Sequence, residues 1–288
     1  MQQGSVKVPG SCGELVQGTI KGIDFLVSCP VDIYSEVRVA LNGSPQLTAK
    51  EGRNKALLAV EKTQDYLGLK QGGKVSVESQ LPIGKGMASS TADISAACWA
   101  TAQALGKELT AEEVASIALS IEPSDGLMFP GITLFDHVRG RMKKFLGPAP
   151  ALGILVLDLG GEVDTLCFNQ RQDLAKLNRK KEPQVLEALY LVEKGVKESN
   201  LALVGQGATM SSLAHQLILP KPDLPELIAE VQALGALGVN VAHSGTVIGI
   251  LVESEKTQNQ EFIELLEKKL GKKLMASCQL VDGGRVKC

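Results

Sequence analysis

The sequence has little of what marks several large protein classes. Aromatic residues make up 3% of the 288 residues, with one Trp and three Tyr, which disfavours a stacking platform for single-stranded nucleic acid. Positive charge is not in excess, because 30 Lys and Arg stand against 32 Asp and Glu and the net charge is −2. A basic surface for nucleic acid or anionic membrane is therefore not expected. The predicted partner is a small molecule.

Long apolar runs are also missing. No stretch reaches the roughly 18 apolar residues of a membrane-spanning helix. The first residues, MQQGSVKV, lack the apolar core of a signal peptide. We therefore expect a cytoplasmic protein with no membrane partner.

Cysteine spacing gives no sign of a zinc site or a disulfide framework. The six cysteines are scattered, without a C-x-x-C pair, and we expect buried thiols that pack as small apolar residues. They are Cys12, Cys29, Cys98, Cys167, Cys278 and Cys288.

One glycine-rich stretch dominates what the sequence does contain. Residues 81–97 read LPIGKGMASSTADISAA, between a strand-like run at 74–79 and a helical pattern at 87–105. A glycine turn that enters a helix collects unpaired backbone N–H groups and the positive end of the helix dipole. This arrangement predicts an anion site, most naturally for phosphate. In the structural alternative, Ser89 or Ser90 simply caps the helix.

Two common phosphate loops do not match this stretch. A Walker A loop ends in Gly-Lys-Ser/Thr, whereas Lys85 lies between Gly84 and Gly86 and is followed by neither Ser nor Thr. The dinucleotide fingerprint needs a third Gly where Ser89 stands.

The remaining pattern, P-x-G-x-G followed by small residues, resembles the phosphate loop of the GHMP kinase family, which includes galactokinase, homoserine kinase, mevalonate kinase and phosphomevalonate kinase. The family usually has Gly-Leu-Gly-Ser-Ser at residues 86–90, so Ala88 replaces a Gly here. The resemblance implies that ATP is bound by its phosphates at this loop. The residues it assigns to the nucleotide are Pro82, Gly84, Lys85, Gly86, Met87, Ala88, Ser89 and Ser90.

A second stretch, PGSCGEL at residues 9–15, follows a short strand predicted at 6–8. Structurally it is interpreted as a Pro-Gly turn with a solvated glutamate. It also resembles the first motif of the family, most closely in its homoserine kinase form, and a carboxylate there would suit the ammonium group of an amino-acid substrate. The resemblance implies substrate contacts from Gly10, Ser11, Cys12, Gly13 and Glu14.

A third stretch places two acids after a helix predicted at 111–120. Pro123 ends that helix and leaves Glu122 and Asp125 beside a turn. Both acids could be solvated surface residues. The resemblance instead implies that Glu122 and Ser90 bind Mg²⁺ and that Asp125 orients or deprotonates the acceptor hydroxyl.

Three further polar residues have two interpretations each. His243 lies in NVAHSGT at 240–246, which resembles a family turn that packs on the phosphate loop. It is either a donor to the substrate or a structural histidine. His137 is interpreted as a structural or surface residue, and Asp93 as a partner of the helix dipole rather than of the metal site.

The resemblance implies an α+β fold, the GHMP kinase fold. Its N-terminal domain, residues 1–150, is expected to be similar to domain 2 of ribosomal protein S5. Its C-terminal domain, residues 151–288, is expected to be ferredoxin-like. Local patterns add a capping box at Thr110 and Glu113, a helix at 183–197 and an edge strand at 274–280.

Four stretches, PGSCGELVQG, ASSTAD, EPSDGLMF and AHSGT, resemble the branch of the family that phosphorylates L-threonine for cobalamin biosynthesis. Two alternatives stay open: homoserine or another small alcohol as acceptor, and a catalytically silent nucleotide-binding protein. The oligomeric state is also open, with a homodimer as one expectation. The cation for the acceptor carboxylate is not identified among Arg38, Arg139, Arg141, Arg171 and Arg285.

Overall fold

The computed structural model describes residues 2–49, 54–161 and 171–287. Within these ranges the chain forms one eleven-stranded sheet with seven α-helices. The strands are β1 (Gln2–Ile20), β2 (Ile23–Leu41), β3 (Leu47–Ala49), β4 (Gly73–Ser79), β5 (Ile132–Phe135), β6 (Lys143–Gly147), β7 (Leu152–Asp158), β8 (Gly238–Val241), β9 (Val247–Glu253), β10 (Ala276–Gln279) and β11 (Val286–Lys287). The helices are α1 (Asn54–Tyr66), α2 (Ser89–Ala104), α3 (Ala111–Leu119), α4 (Leu174–Glu198), α5 (Leu201–His215), α6 (Leu224–Ala233) and α7 (Gln260–Leu270).

The sheet runs in the order β10, β7, β9, β8, β1, β2, β4, β3, with β11 beside β1 and the β5–β6 hairpin beside β2. Strand β8 pairs with β1 through Val241 and Glu14, and Leu280, just after β10, bridges to Val31 of β2. One sheet therefore crosses residue 150, and the domain boundary there stays a prediction. The edge position of β10 agrees with the strand predicted at 274–280.

Strand β1 continues through the segment predicted as a turn, so the prediction that it ends before Pro9 was wrong. It pairs with β2 over most of its 19 residues. The register shifts between Pro9 and Gly10, between Ser11 and Glu14, and again before Val16. Bulges absorb residues that a regular ladder cannot accept, including a proline without an N–H group.

Helix α2 is buried on nearly all sides, as the sequence predicts. It packs on β1 and β2 and is covered by α1 and α3. Gly4 of β1 permits this contact, because a Cβ there would lie 2.0 Å from the carbonyl oxygen of Ala100. Asp93 accepts a hydrogen bond of 2.5 Å from Ser35 of β2. Its carboxylate therefore faces the sheet.

Helices α4 and α5 pack on each other, α4 also on β1, and α5 on β1 and β8. The sequence predicts the start of α4 at residue 183, but the helix begins at Leu174 and contains Pro183. The error arises because the preceding turns are rich in charge, yet Lys181 and Asn178 are buried there. Tertiary packing overrides the local pattern.

Four of the predicted buried thiols are confirmed. Cys12, Cys29, Cys98 and Cys278 are free and buried, and burial raises the pKa of each. Cys167 and Cys288 lie outside the described residues.

The capping box at the start of α3 is confirmed and gives a stability prediction. The Thr110 hydroxyl accepts from the Glu113 N–H at 3.2 Å, and the Glu113 carboxylate accepts from the Thr110 N–H at 2.7 Å. We expect Thr110→Ala to lower the free energy of unfolding by about 1 kcal/mol, measured by urea denaturation. Thr110→Ser keeps the acceptor and should lose much less. Equal losses in the two variants would contradict the assignment.

Candidate active site

Three segments that are distant in sequence meet at the N-terminus of α2. They are the bulged part of β1, the loop 81–88, and the turn 242–246 between β8 and β9. The N–H of Ser11 donates to the carbonyl of Met87 at 3.1 Å. The N–H groups of Thr246 and Val247 both donate to the carbonyl of Lys85, at 3.0 and 3.2 Å. Main-chain hydrogen bonds from both sides therefore fix the loop.

Glycines allow these backbones to approach. A Cβ on Gly10 would lie 2.1 Å from the Leu81 side chain, and one on Gly86 would lie 2.4 Å from the Cβ of Ala242. A Cβ on Gly245 would lie 2.3 Å from the Lys85 carbonyl oxygen. No side chain larger than hydrogen fits at these three positions without moving the loop.

The loop has the backbone of an anion-binding turn. Gly84 and Gly86 have φ of 75° and 86°, and Ala88, directly before α2, has φ 53° and ψ 31°. No side chain caps the helix at Ala88, so the first N–H groups of α2 remain for a ligand. Ala88 adopts the left-handed conformation that the glycine of the family pattern would take without strain.

A cavity of about 340 Å³ opens in front of this helix end. Polar side chains from six segments of the chain converge on it, and the loop supplies its backbone wall. Its lining residues are Ser11, Glu14, Leu26, Lys55, Ile83, Gly84, Gly86, Met87, Ala88, Ser89, Ser90, Thr91, Glu122, Pro123, Ser124, Asp125, His137, His243 and Ser244.

Ser90 and Glu122 meet at one side of the cavity. The Ser90 hydroxyl donates to one oxygen of the Glu122 carboxylate. Lys55 of α1 donates to the other at 2.6 Å. A hydroxyl and a carboxylate, which are oxygen groups that suit a hard metal ion, therefore lie beside the helix N-terminus together with one ammonium group.

Glu14 and Asp125 form a second acidic group, deeper in the cavity. Asp125 accepts from the Thr91 hydroxyl at 3.1 Å and from the Ser28 hydroxyl at 3.4 Å. Glu14 is 3% exposed, and its carboxyl lies close enough to that of Asp125 for the Asp125 charge to influence it. Burial, and then the Asp125 charge, raise the pKa of Glu14 well above its usual range, and burial raises the pKa of Asp125. Both shifts favour the neutral, protonated form of each carboxyl.

The chain has three histidines, and they form one cluster, of which His137 and His243 line the same cavity as the acid pair. The rings of His137 and His243 meet edge to face, with centroids 5.1 Å apart, and the His215 ring is 5.6 Å from that of His243. Burial lowers the pKa of His137 to about 4 and that of His243 well below its usual range. Both are therefore neutral at pH 7.

Two polar side chains, those of Gln17 and His215, contact His243. Its Nδ1 lies 2.8 Å from the amide oxygen of Gln17, and its carbonyl oxygen lies 3.0 Å from Nε2 of His215. His215 in turn lies 3.3 Å from the ammonium nitrogen of Lys181. The ring thus faces the cavity while its backbone is fixed.

Family models match this chain on both sides of residue 150. The model for the GHMP kinases N terminal domain matches residues 54–129, and that for GHMP kinases C terminal matches residues 186–272. The chain is 38% identical over 273 residues to an L-threonine kinase from Citrobacter freundii, with 91% of each chain covered. The chain belongs to the GHMP kinase family.

Further comparisons agree with this assignment. This GHMP kinase is 36% identical over 265 residues to an L-threonine kinase from Salmonella typhimurium, covering 91% of this chain and 87% of that one. Its fold superposes on a homoserine kinase from Cytophaga hutchinsonii with a TM-score of 0.72 at 18% identity, covering 99% and 98% of the two chains. The predicted α+β GHMP kinase fold is confirmed.

The structure separates the nucleotide-loop residues into two groups. Gly84, Gly86, Met87, Ala88, Ser89 and Ser90 line the cavity of this kinase. Pro82 is not among the lining residues, and the Lys85 side chain turns to Asp158 at the end of β7, with which it forms an ion pair of 2.9 Å. The part of Lys85 that contributes to the site is its carbonyl, which joins the loop to Thr246 and Val247.

The residues of the first motif, PGSCGEL at 9–15, also separate into those that line the cavity and those that do not. Ser11 and Glu14 line the cavity. Gly10 packs against the loop, Gly13 against Val241, and Cys12 is buried, with its carbonyl accepting from Asn240. Of the candidate substrate-binding residues, Glu14, Ser11, Asp125 and His243 are brought together. Gly10, Cys12 and Gly13 support them.

Sequence reasoning missed several polar residues of the site. Thr91 and Ser28 hold Asp125, and Lys55 holds Glu122. His137, interpreted as structural or as a surface residue, lines the cavity. Thr91 directly follows Ser89 and Ser90, and this position next to the phosphate-loop motif could have indicated that it belongs to the site. No local pattern marks Ser28, Lys55 or His137, because their roles depend on tertiary contacts.

The five candidate arginines lie away from the cavity lining. Arg38 pairs with Glu36, Arg141 with Asp136, Arg171 with Asp173 and Arg285 with Glu108. Arg139 is exposed. None of these five is placed to bind a ligand in the cavity.

The described part of the chain has neither a membrane-spanning helix nor a clustered metal site. No helix in it combines the length and apolar character needed to cross a membrane. Residues 2–49, 54–161 and 171–287 also contain no cluster of three His, Cys, Asp or Glu suited to a metal ion.

The strained conformation of Ala88 leads to a prediction. We expect Ala88→Gly to raise the free energy of unfolding by about 1 kcal/mol, because glycine takes positive φ without the clash of a Cβ. The measurement is the denaturant midpoint at an unchanged m-value. As a control, Ala102→Gly inside α2 should destabilise by about 1 kcal/mol or more. Destabilisation by both variants would contradict the prediction.

Proposed function

We propose that this chain is an ATP-dependent L-threonine kinase that forms O-phospho-L-threonine and ADP. The observation that carries the proposal is its 36–38% identity, over 91% of the chain, to L-threonine kinases of two organisms. The cavity supports it, because a phosphate-type helix N-terminus and a buried acid pair open into the same space. Cobalamin biosynthesis as the pathway, and the cytoplasm as the location, remain expectations from the sequence.

The nucleotide phosphates would lie on the N–H groups of residues 84–90 and the first turn of α2. Oriented N–H groups and the helix dipole stabilise the negative charge that builds up on the transferred phosphoryl group. The groups need no reorganisation at the moment of transfer, because main-chain hydrogen bonds from both β1 and the turn 242–246 already fix the loop.

Mg²⁺ would be held by Ser90 and Glu122. A hydroxyl and a carboxylate that already touch supply hard oxygen ligands, and Mg²⁺ at kinase sites commonly uses one or two carboxylates together with substrate phosphates. When bound, the ion would neutralise charge on those phosphates. Lys55, which pairs with Glu122, is within reach of the same anionic region.

Asp125 would act on the acceptor. The threonine hydroxyl oxygen forms the new bond to the γ-phosphorus, the bond from that phosphorus to the bridging oxygen of ADP breaks, and Asp125 accepts the hydroxyl proton. Thr91 and Ser28 fix its carboxylate, so it can also orient the hydroxyl for in-line attack.

An acceptor panel tests the proposal. Purified protein with ATP and Mg²⁺ is supplied with L-threonine, L-serine or L-homoserine, and ADP release is compared with a reaction lacking acceptor. We expect the highest kcat/KM for L-threonine and phosphate on its side-chain oxygen. A preference for L-homoserine would select the homoserine kinase alternative. Absence of turnover with all three would support a silent nucleotide-binding protein.

Substitution of the candidate base gives a second test. We expect Asp125→Asn to lower kcat about 10²- to 10⁴-fold, since the amide cannot accept the proton, while ATP binding measured by calorimetry is retained. Asp93→Asn is the matched control, because Asp93 is also a buried α2-region carboxylate bonded to a serine but faces the sheet. Unchanged turnover in Asp125→Asn would contradict the assignment of Asp125 as the base.

A further inference from the structure

Three buried polar atoms of the cavity have no hydrogen-bond partner. They are the Ser11 hydroxyl, Oε2 of Glu14 and Nδ1 of His137, and all three residues line the cavity and are at least nine-tenths buried. A buried polar atom without a partner is costly. In a cavity lining, such an atom is free to bond to a ligand.

The two ionisable members of this set are an acid, Glu14, and an imidazole, His137, and they have different neighbours. The Asp125 charge raises the pKa of Glu14, and Glu14 in turn raises the pKa of the Cys12 and Cys29 thiols. Two carboxyls with few cations near them suit a cationic ligand group.

His137 lies on the imidazole side of the cavity. It contacts the His243 ring, and the neighbouring charge that influences it is Asp136. His243 is influenced by His137, His215 and Lys181. Neutral imidazoles with a lysine behind them, Lys181, suit an anionic ligand group. None of the five candidate arginines lines the cavity.

Resting on the proposed function, we propose that L-threonine binds as a zwitterion, with its ammonium group on the Glu14–Asp125 pair and its carboxylate on the imidazole of His137. We further infer that the carboxyl pair loses one proton and the imidazole gains one as the amino acid binds. The His137 imidazole thus takes the place of a carboxylate-binding arginine, and the acid pair binds the ammonium group.

The direction of each proton change follows from the pKa shifts of Glu14 and His137. Burial raises the pKa of Glu14 and favours its protonated form, whereas an incoming ammonium group favours the charged carboxylate and therefore release of a proton. Because the pKa of His137 is lowered to about 4, the ring is neutral, and an incoming carboxylate favours uptake. The two changes cancel for a zwitterion and remain visible for a ligand with only one charge.

Isothermal titration calorimetry of the whole protein with ADP and Mg²⁺ tests this. Each ligand is titrated in buffers of different ionisation enthalpy. The observed binding enthalpy is plotted against the ionisation enthalpy of the buffer, and the slope gives the number of protons exchanged. We expect a net exchange near zero for L-threonine, release of about one proton for L-threoninol, and uptake of about one proton for (R)-3-hydroxybutyrate. Release of a proton by L-threonine together with no uptake by the hydroxy acid would overturn the inference.

Two variants assign the protons to residues. Glu14→Gln should abolish the release seen with L-threoninol. His137→Gln should abolish the uptake seen with the hydroxy acid and raise KM for L-threonine about 10- to 100-fold, from the loss of one charge-assisted hydrogen bond, with KM for ATP unchanged.

Arg139→Gln is the matched control, because Arg139 follows His137 closely in sequence but is exposed. Its KM for L-threonine should equal that of the unsubstituted protein. A raised KM in Arg139→Gln with a normal KM in His137→Gln would overturn the inference. The proton counts of the unsubstituted protein decide the question even where a variant does not fold. Absence of L-threonine phosphorylation would instead overturn the proposed function.

Discussion

The structure depends on the close approach of three backbones at the N-terminus of α2. Gly10, Gly86 and Gly245 allow this approach, because a Cβ at any of them would overlap an atom of a neighbouring segment. The sheet brings the segments together, since β1 lies beside β8 and β8 beside β9. The position of the phosphate loop is therefore a property of the whole sheet rather than of the loop sequence alone.

Charge in the cavity is arranged in separate regions. The helix N-terminus and Lys55 form a region suited to phosphate, with Ser90 and Glu122 beside them. The carboxyls of Glu14 and Asp125 and the imidazoles of His137 and His243 lie in the same cavity. Kinase chemistry needs both a site for a highly charged nucleotide and a less exposed site for the acceptor hydroxyl. This division provides both without mixing their charges.

The sequence predicts the elements whose signals are local. The buried helix α2, the capping box at Thr110 and the glycine loop are recognised from residue types and spacing, and the motif order identifies the GHMP kinase family. Strand β1 is different, because its passage through Pro9 depends on bulges paired with β2. The direction of the Lys85 side chain depends on Asp158, which lies 73 residues further along the chain. The pairing of Lys55 with Glu122 has the same long-range origin.

The gathering of all three histidines in one cluster has a consequence for spectroscopy. A protein of this size ordinarily carries surface imidazoles whose NMR signals overlap those of interest. Here every imidazole in the 288-residue sequence belongs to the cluster of His137, His215 and His243. The histidine ring signals of the uniformly labelled protein would thus report on this single location, without selective labelling or assignment by mutagenesis.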